Sequence, residues 1–313
     1  MSGVLNVSKS GRSKAVPAVR ICGVTVSLTG GWFKTGKIHD EFWLERDSLP
    51  CPDVLLSELK KIKDRPDVFT FSQRVPDTDP RYSYRYEVDN YAVLSTSTYE
   101  HWFQKQIPAA TRRAIRASEK RGIVTRASEY DDNYVRGITS IYNETPIRAG
   151  RRFWHFGKEF ETVERENGTY AERSTYLAAY SNDEMVGYLK LVWDRHTAAI
   201  MQIVSKLSFR ESRPNNALLA EAVRQCCLRH VSYLLYEKFD YGRKTGDSLT
   251  RFKQNNGFVR MDVPRYYIPL TVRGYVALRV GLHKHPAEWL PECIAAPARH
   301  LRTKWYEKSR VGS

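Results

Sequence analysis

The sequence predicts an α/β protein with a mixed, largely antiparallel central sheet flanked by helices. Segments of helical and of strand periodicity alternate along the chain from residue 20 to residue 270. Three strand-like runs, 174–180, 185–193 and 197–205, follow one another across short polar turns and so form an antiparallel meander. No stretch approaches the roughly 18 consecutive apolar residues that a membrane-spanning helix needs.

The first 20 residues are rich in Ser, Gly and Lys and read as a disordered basic arm. Strand patterning begins with Ile21, Val24, Val26 and Leu28, breaks at Gly30-Gly31, and resumes at Phe42-Trp43-Leu44. Val54, Leu55, Leu59 and Ile62, interleaved with lysines, have the spacing of a short amphipathic helix. Strands are expected at Val68–Phe71 and Tyr91–Leu94, on either side of an irregular loop. A helical pattern runs from Thr98 to Ile107 and, past Pro108, from Thr111 to Arg121, where Gly122 offers a left-handed stop. Ile123–Thr125 is a strand, Asp131–Tyr142 a helix, and Asn143–Lys158 a loop. After the meander come a helix over Asn215–His230, a strand over Val231–Phe239, a short helix over Leu249–Gln254 that ends at Gly257, and a closing strand at Tyr266–Leu270. The expected organisation is an arm (1–20), an N-terminal α/β half (21–98), a main domain (99–270) and a basic helical extension (271–313).

The chain has 313 residues, with 50 Lys plus Arg against 35 Asp plus Glu, a net charge of +15. The excess is local: residues 1–20 carry four bases and no acid, 101–126 seven bases and one acid, 271–313 eight bases and three acids, and the remainder is balanced. Such clusters suit anionic partners, namely phosphates, RNA or an anionic membrane face. The five cysteines form neither a disulfide framework nor a zinc spacing, and no hydrophobic signal segment follows the N-terminus, so a cytoplasmic protein is expected, with possible contact at the inner membrane face. HExxH, GxSxG, P-loop and GxGxxG motifs are absent, which leaves metallohydrolase, serine hydrolase, kinase and Rossmann readings without support. No metal and no tightly bound cofactor is expected.

Three segments carry candidate chemistry. On the helix 111–121, Arg113, Arg116 and Lys120 stand three and four residues apart on one face, which either binds phosphates or is simply solvated. The loop Arg210-Glu211-Ser212-Arg213-Pro214-Asn215-Asn216 lies between a strand and a helix start; it offers two guanidinium groups, and Asn215 or Asn216 as a helix cap. Lys253 stands one turn before Gly257-Phe258. Glu237 on the preceding strand and Glu144 are carboxylate candidates, and Trp154-His155, downstream of Arg151-Arg152, either stack on a base or sugar or pack into the core.

The order of these segments resembles the GNAT acyltransferase superfamily, and within it the FemAB-like branch. The marks are Arg113-x-x-Arg116-x-x-Glu119-Lys120-x-Gly122, Pro214-Asn215-Asn216-Ala217-Leu218-Leu219, and Phe252-Lys253 before Gly257-Phe258. The resemblance spans residues 99–270, with 21–98 as a reduced first GNAT-like half. It implies acyl transfer to an amine, with acyl-CoA or aminoacyl-tRNA as donor. Lys253 would then stabilise the oxyanion, and Glu237 would act as base. The acetyl-CoA loop of the family carries glycines where this chain has Arg213 and Asn215. A second reading is therefore a GNAT-shaped module that has lost catalysis and binds RNA, a nucleotide-linked precursor or a membrane surface. The extension 271–313, basic and apolar together, suits either packing back onto the fold or a peripheral membrane contact.

Overall fold

The computed structural model describes residues 2–9, 12–241 and 247–284. In chain order the elements are β1 (Ser2–Lys9), β2 (Arg12–Ile21), β3 (Val24–Thr29), β4 (Thr35–Ile38), α1 (Pro52–Lys61), β5 (Val68–Ser72), β6 (Tyr86–Ser95), the helical turn α2 (Tyr99–His101) and α3 (Ala109–Lys120). They continue as β7 (Ile123–Ser128), α4 (Asp132–Tyr142), the small hairpin β8 (Ile147–Arg148) and β9 (Arg151–Arg152), α5 (Phe160–Asn167), β10 (Ser174–Ser181), β11 (Glu184–Asp194) and β12 (Thr197–Ser205). The chain closes with α6 (Pro214–Leu228), β13 (Tyr233–Lys238), α7 (Ser248–Asn255), β14 (Val259–Pro269) and α8 (Val272–Arg279). No helix among the described residues is long and apolar enough to cross a membrane.

The described residues divide into two compact units, residues 2–91 with 261–284, and Ala92–Arg260. Unit 1 orders its strands β1-β2-β3-β4-β5-β14, with β6 beside β14. β1 with β2, β2 with β3, β3 with β4 and β5 with β14 pair antiparallel, and β4 pairs with β5 in parallel. Val26, Leu55, Leu59, Phe69 and Tyr266 fill its core. α1 contributes Leu55, Leu56 and Leu59, which share one face at helical spacing, and Pro52 opens the helix where a missing N–H costs nothing. Arg265 on β14 is buried between two acids: its Nη2 donates to Glu41 at 3.0 Å and its Nε to Asp89 at 2.5 Å. Burial opposes the charge, but the two carboxylates outweigh it and raise the guanidinium pKa further. α8 seats Gly274, Ala277 and Leu278 inward. A Cβ on Gly274 would lie 1.9 Å from the Asp67 carbonyl oxygen, so only glycine permits this approach.

Unit 2 orders its strands β13-β12-β11-β10-β7, with β6 beside β13. Alternation along the strands sends residues to opposite faces. Leu177 and Ala179 of β10 and Leu189 and Leu191 of β11 meet Ile115 of α3 and Leu218, Leu219 and Val223 of α6. Tyr176, Ala178 and Tyr188 meet Tyr134, Ile138 and Ile141 of α4 and Val163 of α5 on the other face. Helices thus cover both faces of a mixed sheet, the class the alternation of periods predicts. Gly122 (φ 77°) and Gly257 (φ 86°) take left-handed positions just after α3 and α7.

Several expectations are corrected. The segment expected as a disordered arm is paired, with β1 on β2 from Ser2–Val19 to Lys9–Arg12 and β2 on β3 from Ala18–Ser27 to Ile21–Val24. Composition weighs side chains, whereas a ladder is made by backbone groups that any residue but proline supplies. Phe42-Trp43-Leu44 is a turn, in which Asp40 takes φ 54° and its carbonyl accepts from Trp43 and Leu44. The first half is not confined to 21–98, because β14 and α8 return to it. The loop expected over 143–158 holds the β8–β9 hairpin, and α5 follows it. The helix expected near Tyr275–Val280 is α8, while the second helical stretch expected after Pro297 lies outside the described residues.

Candidate active site

The approach to α6 is the centre of the site. Arg210–Ser212 forms one short turn, Arg213 takes a left-handed conformation (φ 57°, ψ 40°), and Pro214 begins the helix. Proline suits that first position because its absent N–H would have no partner in any case. No side chain caps α6, so the expectation that Asn215 or Asn216 does so is corrected. The reason is position: both residues already lie inside the first turn, beyond the cap. Pro214 has no N–H and the Asn216 and Ala217 N–H groups donate to the Arg213 carbonyl, so the Asn215 N–H is the first-turn donor left to a ligand or to water.

Around this turn five arginines converge on a cleft of about 820 Å³: Arg113, Arg121, Arg210, Arg213 and Arg251. Thr111, Asn216, Ser248, Asn255 and Asn256 complete its polar lining, and Ala110, Ala114 and Ala117 of α3 supply a low wall. An adjoining cavity of about 510 Å³ shares Arg210, Arg213, Asn216 and Phe252 and adds Arg148, Lys206, Ser205 and Asn215. Among the described residues no carboxylate lines either space, and none of the five arginines forms an ion pair. The Asn215 Oδ1 atom is buried without a hydrogen-bond partner. A concentration of cations left unneutralised at a helix N-terminus is a place for phosphate groups.

The second cavity reaches the point where the sheet opens. β12 and β13 pair in parallel only from Thr197–Tyr233 to Ala199–Leu235. Just beyond, β12 carries a bulge, since Lys190 faces Gln202 while Leu191 faces Ile200, leaving Met201 as the extra residue. The released stretch of β12 lines the cavity through Ile203, Val204 and Ser205. At the corresponding end of β13, Glu237 accepts from the Tyr241 hydroxyl at 2.6 Å. Lys253 is 0 % exposed, donates to the Lys238 carbonyl at 2.5 Å, and lies 4.5 and 4.9 Å from the Tyr236 and Tyr241 rings. Burial pulls its pKa down to about 8 against the upward pull of Glu237, Asp247 and Asp240. Burial first, and then Glu237, raise the Tyr241 pKa, so its hydroxyl stays protonated as a donor.

The residues expected from sequence are thus distributed unevenly. Arg113, Arg210, Arg213, Asn215 and Asn216 line the cavities. Arg116 and Lys120 do not; Arg116 lies over the Phe103 ring at 5.4 Å. The stripe of α3 that faces the cleft runs through 110, 114, 117 and 121, and only Arg113 of the expected trio stands at its edge. Lys253 and Glu237 meet at the end of β13 but line neither space. His155 is 3 % exposed, with its ring 4.0 Å from that of Tyr142 and one ring nitrogen 2.9 Å from Gln202 Nε2. Burial, then Lys158 and Arg148, push its pKa down to about 3, so it is a neutral packing residue and supplies no charge for phosphate. Trp154 is exposed beside Lys158 and lies outside the cavities. Glu144 accepts from the Leu207 and Ser208 N–H groups and the Ser208 hydroxyl, and pairs with Arg148 at 3.2 Å. Burial alone would raise its pKa, but these donors outweigh it and leave the carboxyl below its ordinary value. It clamps the end of β12 and does not face the cavities. Arg121, Arg148, Lys206 and Arg251 escaped sequence reading; Arg121 before Gly122 and Arg251 before Phe252-Lys253 stood beside recognised marks.

No protein-family model and no curated protein matches the sequence. Among solved structures, FemX matches with a TM-score of 0.57 at 10% identity over 90% of each chain. The chain has a FemAB-like GNAT fold. The same fold appears in the C-terminal domain of a putative lysylphosphatidylglycerol synthetase from Agrobacterium fabrum, with a TM-score of 0.55 at 11% identity over 82% of this chain and 84% of that one. It appears again in L-PGS from Bacillus licheniformis, at 0.51, 13% identity, and 82% and 85% coverage. At these identities the likeness is one of fold alone. Ahead of α6 this chain places an arginine, Arg213, in a left-handed position.

Proposed function

We propose that unit 2 transfers an acyl or aminoacyl group from a phosphate-bearing thioester or ester donor to an amine. The carrying observation is the set of five arginines, free of carboxylate partners, gathered at the uncapped start of α6. They would hold the donor's phosphates, and its acyl end would run along the second cavity to the parting of β12 and β13. The amine attacks the carbonyl carbon, a C–N bond forms, and the C–S or C–O bond to the donor breaks. Backbone N–H groups near the Met201 bulge would face the oxyanion. Lys253 adds a positive charge behind that end of the sheet, and Glu237, directly or through a water, accepts the proton that the amine loses.

The test is a thermal-shift panel of CoA, acetyl-CoA, tRNA and nucleotide-linked precursors, followed by transfer of a labelled acyl group to an amine. A donor present at 100 times its Kd raises stability by about 2.7 kcal/mol. The shift should shrink to about half or less in R213A and R251A. If none of the four classes shifts the midpoint, the proposal is refuted. One observation favours a binding module without catalysis: Lys253 and Glu237 line neither cavity. A ligand that binds through the arginines and yields no transfer with any amine would select that reading.

A further inference from the structure

We propose that unit 1 carries a docking surface for an anionic lipid bilayer, built from the outer face of α8 and the exposed Trp32. α8 has two apolar faces. Gly274, Ala277 and Leu278 pack inward, while Val272, Tyr275, Val276 and Val280 recur at helical spacing on the opposite side and are exposed, Val272 by 83 %. Leu282 extends this stripe. A soluble helix of one packed face has polar residues on the other; here the outward positions are three valines and a tyrosine, with only Arg273 and Arg279 as charged residues among them.

Trp32 belongs to the same surface. The tight turn at Gly30, where a Cβ would lie 1.9 Å from the Phe33 carbonyl oxygen, turns the chain so that Trp32 is 71 % exposed. Its exposure is held in place: Arg273 of α8 donates to the Trp32 carbonyl at 2.6 Å and lies 5.2 Å over its ring. An indole fixed outward, beside a helix with an apolar outer stripe, has the chemistry of a headgroup-level anchor.

The charge of both segments agrees. Residues 29–38 contain Lys34 and Lys37 and no acid, and residues 271–284 contain Arg273, Arg279 and Lys284 and no acid. Each acid nearby meets one of these cations, Asp67 beside Arg273, Asp64 beside Lys34 and Glu87 beside Lys284, so five cations against three acids leave a net charge of +2. Apolar side chains with a net positive border match a surface that is apolar below and anionic above, which a nucleic acid is not. The surface lies in unit 1, apart from the arginine cleft, so it stands or falls independently of the proposed transfer reaction.

The test is co-sedimentation of the full chain with vesicles of phosphatidylcholine, with and without phosphatidylserine, for wild type, W32A and V276D. Binding is expected only with phosphatidylserine, should weaken with added salt, and should fall roughly tenfold or more in each variant. Unfolding midpoints and sedimentation coefficients of the variants are expected to match wild type. The proposal is overturned if neither vesicle binds, or if binding persists undiminished in both variants and so resides in another basic region. A dimer lost in the variants would make the face a contact between copies. Midpoints lowered in both would make it a seat for residues 285–313, and either outcome also overturns the proposal.

Discussion

Replacing Arg213 with glycine should strengthen the fold and weaken the site. An L-residue in the left-handed region costs about 1–2 kcal/mol, and glycine is free of that cost but loses roughly 0.5–1 kcal/mol through backbone entropy. R213G should therefore gain up to about 1 kcal/mol, with a further contribution from one charge fewer among five unpaired arginines. In a unit of this size that raises the unfolding midpoint by about 2–4 °C. The same change removes a guanidinium from the phosphate site, where a charge-assisted hydrogen bond is worth about 1.5–3 kcal/mol, or roughly 10- to 150-fold in affinity. R213A separates the two effects, since it loses the charge and keeps the Cβ: its affinity should fall like that of R213G, while its midpoint keeps only the contribution of the lost charge and lacks the gain from relieved strain. Thermal unfolding and ligand titration on the three proteins give the answer. Wild-type affinity in R213G would show that the guanidinium holds no phosphate; a lowered midpoint in R213G would show that the turn is unstrained.

Four other outcomes follow from the geometry. R113A and R121A should each weaken donor binding by about an order of magnitude while R116A and K120A leave it within about twofold, and equal losses in all four would dismiss the assignment of faces on α3. Lys253 has a folded pKa of about 8 against an ordinary 10.5, so the unfolded chain holds more protons between those values and wild-type stability should rise through that window. The rise relative to K253M should reach about 2 kcal/mol between pH 8 and 10, and denaturant titrations showing a constant difference would mean that Lys253 keeps its ordinary pKa. E144A should cost about 2–4 kcal/mol at neutral pH by orphaning three donors and Arg148, and because the Glu144 pKa is depressed, the deficit should shrink as pH falls below about 4. G274A should destabilise unit 1 by more than about 2 kcal/mol, read by chemical denaturation, because the added carbon collides with the Asp67 carbonyl.

What could be read in the sequence was whatever repeats locally. The period of Leu55, Leu59 and Ile62, the turns that punctuate the meander, and the glycines after α3 and α7 all act over a few residues. The loop Arg210–Asn216 was legible as a candidate phosphate site because its charges and the helix start are adjacent in sequence. Arg121 and Arg251, which come together only through folding, were not. The misplaced part of α3 has a simple cause: spacing shows which side chains share a face, and only packing shows which face the cleft receives. His155 illustrates the same limit, since nothing in Trp154-His155-Phe156 says that the middle ring turns inward onto Tyr142. β1 and the first part of β2 were invisible because polar strands carry their pairing in the backbone.

The return of β14 to unit 1 has a consequence for synthesis. Arg265 emerges from the ribosome long after Glu41 and Asp89, the acids between which it is buried. β5 likewise waits for its antiparallel neighbour, paired from Val68–Pro269 to Ser72–Arg265. At about 5–20 residues per second, the interval from residue 91 to residue 269 lasts on the order of ten to forty seconds. Throughout it the earlier-made part of unit 1 exposes an unpaired strand edge and two uncompensated acids, while the uninterrupted segment 92–260 can complete its own core. The nascent chain is therefore expected to mature in an order opposite to its numbering, with the first unit in sequence the last to close. A stalled-ribosome series probed by limited proteolysis would display this as protection of 92–260 ahead of protection of 12–91.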